Sequence, residues 1–305
     1  MTEKAEGLGE LAQDIDNFLF RFAFHDLQKV AALQKEALEK WVPVCESLKG
    51  HADKLVDIDL GRAFVALEKA MQAFGKSDIR QFEDAVRVKL AVDAANVLLK
   101  QVIFAREYEG EVFEEGDEAF YLPPDEARNN ALLVVLHGAF MKGRHFIWKW
   151  VFPAARRKLA VYAPASHGVT WSAVDFEWVE SMIGKLAENY GLAKGETMLA
   201  GLSDGAVAGF ELCCRKRTPF RKAAFLSGTR PFNVAMMPKL PLYIVHGTAD
   251  PIFPIAHAQK TVESLRAQVG DVTYRELADA PHSFPYPEVE ALMDWLVEAR
   301  PRRKR

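Results

Sequence analysis

The chain has 305 residues, 50% of them hydrophobic and 27% charged, with a formal net charge of −3. That length fits two domains or one large domain with an extension, and the composition is that of a globular protein with ample core. The weak net charge gives no footprint for nucleic acid, no apolar run approaches the roughly 18 residues that span a bilayer, and three cysteines make no disulfide framework, so a cytoplasmic protein is expected.

Residues 1–106 read as an all-helical domain. Leu11, Ile15, Phe18, Phe22, Val30 and Leu33 recur at mostly three- and four-residue steps, the stripe of an amphipathic helix. A second helical stretch covers 60–74 and ends at Gly75, a C-cap candidate. Ser77 or Asp78 can open a third helix, with Gln81 at capping-box spacing from Asp78. Its predicted apolar face is Phe82, Val86, Leu90, Ala94, Val97 and Leu98. Residues 107–118 then form an acidic linker or hairpin, seven carboxylates without a basic residue.

From 119 to 305 the pattern becomes α/β. Residues 131–136 and 159–163 are apolar runs of the kind buried on both faces of a parallel sheet. Further short strands are expected at 197–200, 223–226, 242–245 and 271–277, and helices at 176–189 and 287–299. Strands alternating with helices imply a mostly parallel, doubly wound sheet, with ligands at the C-terminal strand ends.

Three of those ends carry chemistry. The first is Gly201-Leu202-Ser203-Asp204-Gly205, a G-x-S-x-G between a strand and a helix. A serine becomes nucleophilic when a tight turn holds it out of the chain and a base takes its proton. Asp250 follows the strand 242–245, and His282 follows 271–277. In that order His282 would act as general base and then acid, and Asp250 would orient the imidazole. The oxyanion would be held by the backbone N–H groups of Asp204 and of Ala139, in the loop after 131–136. Three residues at strand ends are candidates to touch substrate: His137, Phe140 and Trp171. The plainer readings are a small residue in a turn for Ser203, a cap for Asp250, a solvated loop histidine for His282, and core packing for Trp171. No His, Cys or Asp cluster has metal-ligand spacing, and no glycine-rich phosphate loop follows a strand.

The set of motifs resembles the α/β-hydrolase superfamily, in particular its carboxylesterase/phospholipase-like (acyl-protein-thioesterase-like) and dienelactone-hydrolase-like enzymes. The residues that carry the resemblance are Leu136-His137-Gly138, the elbow at 201–205, His246-Gly247-Thr248-Ala249-Asp250 and Ala280-Pro281-His282-Ser283. It covers roughly 119–299 and implies an α/β-hydrolase fold with an N-terminal helical domain. It also implies a serine hydrolase with Ser203, Asp250 and His282 as its triad. The reaction so implied cleaves a small-molecule carboxylic ester or thioester without metal or cofactor. A serine peptidase of the same fold and a non-catalytic hydrolase-like binding protein are the alternatives. Asp204 stands where relatives often carry a neutral residue, and Pro281 where they often carry glycine. The helical domain resembles no module and is a candidate lid, partner surface or homodimer surface.

Overall fold

The computed structural model describes residues 3–23, 26–55, 58–76, 82–125, 128–193, 195–229 and 233–298. Contacts divide the chain into two units. The first comprises Met1–Tyr108 together with Ala280–Tyr286, and the second Glu109–Asp279 with Pro287–Arg305.

The first unit is built on four helices: α1 (Glu3–Arg21), α2 (Leu27–Leu55), α3 (Ile58–Lys76) and α4 (Phe82–Glu107). The predicted stripe from Leu11 to Leu33 is buried throughout, but it belongs to two helices. Asp26 divides them: its carboxylate accepts the N–H of Lys29 at 3.0 Å, and its carbonyl accepts that of Val30. This is an N-cap that starts a new helix. Phe18 meets Phe22 and Trp41 edge-on at 5.7 and 5.4 Å, which joins α1 to α2. Gly75 is not a C-cap, because α3 continues through Lys76. Ser77, Asp78 and Gln81 lie outside the described residues.

The predicted face of α4 is corrected in part: Val97 is buried as expected, Val86 and Leu98 are half-buried, Ala94 is exposed, and the Phe82 side chain lies outside what is described. Leu90 is 60% exposed, whereas Ala85, Val88, Val92, Ala95 and Leu99 are buried against α3 and α1. Two apolar stripes compete along this helix. When a helix is apolar most of the way round, periodicity alone cannot choose the buried side.

The second unit is an eight-stranded sheet in the order β1-β2-β4-β3-β5-β6-β7-β8. Its strands are β1 (Glu111–Glu115), β2 (Glu118–Leu122), β3 (Asn129–Leu136), β4 (Leu159–Ala163), β5 (Thr197–Leu202), β6 (Phe220–Leu226), β7 (Leu242–Gly247) and β8 (Val272–Leu277). Strands β3 to β8 run parallel, and each of the six strands expected from the sequence is present. The acidic segment forms a hairpin, with Glu111 opposite Leu122 and Glu115 opposite Glu118. Its carboxylates are put to use: Asp117 pairs with Lys142 at 2.6 Å, and Glu118 accepts from the Tyr162 hydroxyl and the Trp178 indole.

The helices of this unit are α5 (Gly143–Phe146), α6 (Val151–Arg156), α7 (Ala173–Tyr190), α8 (Asp204–Cys213), α9 (Ile255–Gln268) and α10 (Val289–Val297). The N-terminus of α7 is held by Asp175, which accepts from the N–H and hydroxyl of Ser172 at 2.7 and 2.6 Å. Beyond its C-terminus, Gly191 takes φ +64°, a left-handed C-cap. The core lies between helices and sheet, with Leu199, Ala206, Phe210 and Phe225 in it. The order in which strands are added reverses at β3, with β4 on one side of it and β5 on the other, so the loops leaving β3 and β5 meet at the topological switch point of the sheet.

Candidate active site

Ser203 lies at that switch point, between the end of β5 and the start of α8. Its backbone sits at φ +55°, ψ −118°, a region that side-chain-bearing residues rarely enter. The turn is pinned by the Ser203 N–H to the Leu226 carbonyl at 2.8 Å, and by the Ser203 carbonyl receiving the N–H groups of Ala206 and Val207. The two elbow glycines have a steric reason. A Cβ on Gly201 would fall on the carbonyl of Gly205, and one on Gly205 would fall on the carbonyls of Leu136 and His137. Only glycine lets helix and strands approach this closely.

The register pairs Leu136 of β3 with Gly201 of β5, which brings the next residues of β3 beside the elbow. A Cβ built on Gly138 would lie 3.4 Å from that of Ser203. Beyond it, the N–H of Phe140 is bonded to Val169 and that of Met141 to Gly138. The N–H groups of Ala139 and Asp204 have no acceptor among the described residues. Asp204 is the first residue of α8, where an N–H has no intrahelical partner.

A frame of hydrogen bonds holds this loop. His137 is buried, its Nδ1 lies 2.8 Å from the Gly138 carbonyl, and its Nε2 accepts the N–H of Ser166 at 3.2 Å. The proton therefore resides on Nδ1. Burial pushes the His137 pKa below its ordinary value and keeps the ring neutral. The Trp171 indole donates to the His137 carbonyl at 2.8 Å, and its backbone N–H donates to the Asp204 carboxylate at 3.0 Å. Sequence reasoning missed the link between Trp171 and Asp204, since nothing local joins residues 33 apart. Phe140 differs from its neighbours: it is 82% exposed and takes φ +63°.

Asp250 is buried after β7. One of its oxygens accepts the N–H groups of Ile252 and Phe253 at 2.8 and 2.9 Å. The other lies 3.7 Å from His246 Nε2, which is 2.6 Å from the Phe253 carbonyl. His246 thus shapes the Asp250 turn. His282 belongs to the loop Ala280–Tyr286, which groups with the helices of the first unit. His282 is half-buried, between buried Pro281 and buried Ser283.

Basic residues that follow the loop after β3 are largely committed to structure. Arg156 and Arg157 pair with Glu290, and Arg157 also with Asp294. Cys213 is buried in α8, and burial raises its thiol pKa well above the ordinary range. Among the described residues, no group of three or more His, Cys, Asp or Glu could hold a metal, and no helix is long and apolar enough to cross a membrane.

A family profile described as Phospholipase/Carboxylesterase matches residues 126–299, so the chain belongs to that family of ester-hydrolysing enzymes with the α/β-hydrolase fold. The match begins after helices α1 to α4 and strands β1 and β2. The solved structures it resembles include TT1662 from Thermus thermophilus, at 20% identity and a TM-score of 0.52, covering 63% of this chain and 100% of that one. A carboxylesterase from Mesorhizobium loti gives 17% and 0.50, over 63% and 100%. FphF, a fluorophosphonate-binding serine hydrolase of Staphylococcus aureus, gives 14% and 0.50, over 63% and 98%. At these identities the likeness speaks for the fold. A search of curated proteins found no match.

Proposed function

We propose that this enzyme cleaves a carboxylic ester or thioester through an acyl-serine intermediate, with Ser203 as nucleophile, His282 as base and Asp250 as the carboxylate that orients it. Ser203 Oγ adds to the substrate carbonyl while His282 takes its proton. The same proton then goes to the departing alcohol or thiol, and water repeats the sequence on the acyl-enzyme. The N–H groups of Ala139 and Asp204 receive the oxyanion, each worth about a hundred- to a thousand-fold in rate. Phe140 and Trp171 face the acyl or leaving group. His137, with both ring nitrogens engaged, contributes through shape.

The single observation that carries this reading is the strained backbone of Ser203, held next to two N–H donors without an acceptor among the described residues. Strain of this kind, costing about 1–3 kcal/mol, concentrates at functional sites. The test is hydrolysis of p-nitrophenyl esters from acetate to palmitate by the wild type and by Ser203→Ala. Turnover that disappears in Ser203→Ala supports the assignment, and the chain-length optimum sizes the pocket. A Ser203→Ala enzyme as active as wild type would overturn it.

A further inference from the structure

We propose that the helical unit is a positioning device for His282, acting through a buried polar clamp on Tyr286. This rests on the reading of His282 as the catalytic base.

The clamp is made of three residues from two helices. Asp16 of α1, Asn96 of α4 and Lys100 of α4 are 7%, 2% and 6% exposed. Lys100 Nζ donates to both Asp16 oxygens, at 2.8 and 2.6 Å, and Asn96 Nδ2 donates to one of them at 2.7 Å. The Tyr286 hydroxyl adds its own hydrogen bond to Asp16. Lys100 Nζ also lies 5.3 Å from the centre of the Tyr286 ring, and the ring of Phe284 meets that of Tyr286 edge-on at 4.8 Å.

Tyr286 is the last residue of the segment that carries His282, four positions before it. The other end of the segment is held as well. The N–H of Asp279, just before it, donates to Thr248 Oγ1 at 2.8 Å. Only six residues separate the two anchors, Asp279 and Tyr286, so the backbone around His282 is tied at both ends. Ser283 tightens the middle, with its hydroxyl donating to the Pro281 carbonyl at 3.3 Å.

The chemistry of the clamp favours positioning over stability. Desolvating two charges costs about what their attraction returns, and well-packed apolar residues of similar size stabilise as well or better. A buried polar network does something apolar packing does not: its directional hydrogen bonds favour one arrangement and penalise the others. Here the carboxylate receives Lys100, Asn96 and Tyr286 together, so displacing the tyrosine leaves a buried acceptor short of a donor. General-base catalysis needs that restraint, because a displacement of about 1 Å costs on the order of a hundredfold in rate.

The experiment compares the full-length wild type with three variants: Tyr286→Phe, Asp16→Leu combined with Lys100→Met, and Ser203→Ala. Each is measured for kcat and KM on one p-nitrophenyl ester and for its thermal midpoint. The expected result for Tyr286→Phe is a kcat lower by roughly ten- to a hundredfold, an unchanged KM and a midpoint near wild type. The apolar double variant should fold at least as stably as wild type and still show the depressed kcat. If either variant folds and keeps wild-type kcat, the clamp is packing only and the proposal falls. An active Ser203→Ala would instead sink the serine-hydrolase reading itself, so the two failures are distinguishable. Should Tyr286→Phe fail to fold, the double variant alone decides.

Discussion

The backbone N–H of Trp171 donates to the carboxylate of Asp204 at 3.0 Å. This bond ties the loop after β4 to the residue that follows Ser203, the proposed nucleophile. A carboxylate beside the proposed nucleophile looks unfavourable in the sequence, but its place in the fold gives it a use. It fixes the start of α8, whose first N–H is the proposed oxyanion donor. Asp204→Ala removes the acceptor and should cost about 1–2 kcal/mol of stability and lower kcat by about tenfold. Asp204→Asn retains an acceptor and should lose less of both. Urea unfolding with ester kinetics checks this, and equal behaviour of the two variants would refute it.

Ser203 can be tested as a stability–activity trade. Its φ of +55° with ψ of −118° suits glycine and not serine. Ser203→Gly should abolish ester turnover and raise unfolding free energy by about 1 kcal/mol. The urea midpoint is the readout, and a lower midpoint in the glycine variant would argue that the elbow is not strained.

His137 makes a pH prediction. Burial lowers its pKa in the folded chain. Below the ordinary histidine value of about 6.5 the unfolded chain takes up a proton that the folded chain does not. Stability therefore falls as the pH drops from there toward the lowered folded value, by at most about 1.4 kcal/mol per pH unit. Above about pH 6.5 the contribution is fully present. Replacing His137 with Gln should flatten the stability profile in that window, measured by urea unfolding at a series of pH values. Parallel profiles would mean that His137 titrates normally.

Phe140 is exposed, so its removal has little to disturb in the fold. Phe140→Ala should change stability by no more than about 0.5 kcal/mol. If its ring faces the acyl or leaving group, KM for aryl or long-chain esters should rise by about tenfold, equivalent to about 1.4 kcal/mol of lost contact, with kcat near wild type. Kinetics on short and long esters separate the cases: an equal change for acetate would point away from an apolar contact.

The sequence by itself determined the features that are local in the chain. The strands at 131–136 and 159–163 are legible because a strand buried on both faces is a continuous apolar run. The elbow is legible because the close approach of α8 to the strands admits only glycine at 201 and 205, and family membership follows from such motifs in order. Tertiary structure decided the rest. Asp26 splits a single apolar stripe into two helices, and the face of α4 is chosen by its neighbours, since both stripes through Val88 and Leu90 are apolar. The bond from Trp171 to Asp204 spans 33 residues and the ion pair from Lys100 to Asp16 spans 84. Neither has a spacing that periodicity could reveal. The loop that carries His282, Ala280–Tyr286, groups with helices that end at Glu107, far earlier in the chain. Such pairings depend on which surfaces meet in the folded chain, and one-dimensional patterns record only what each surface is made of.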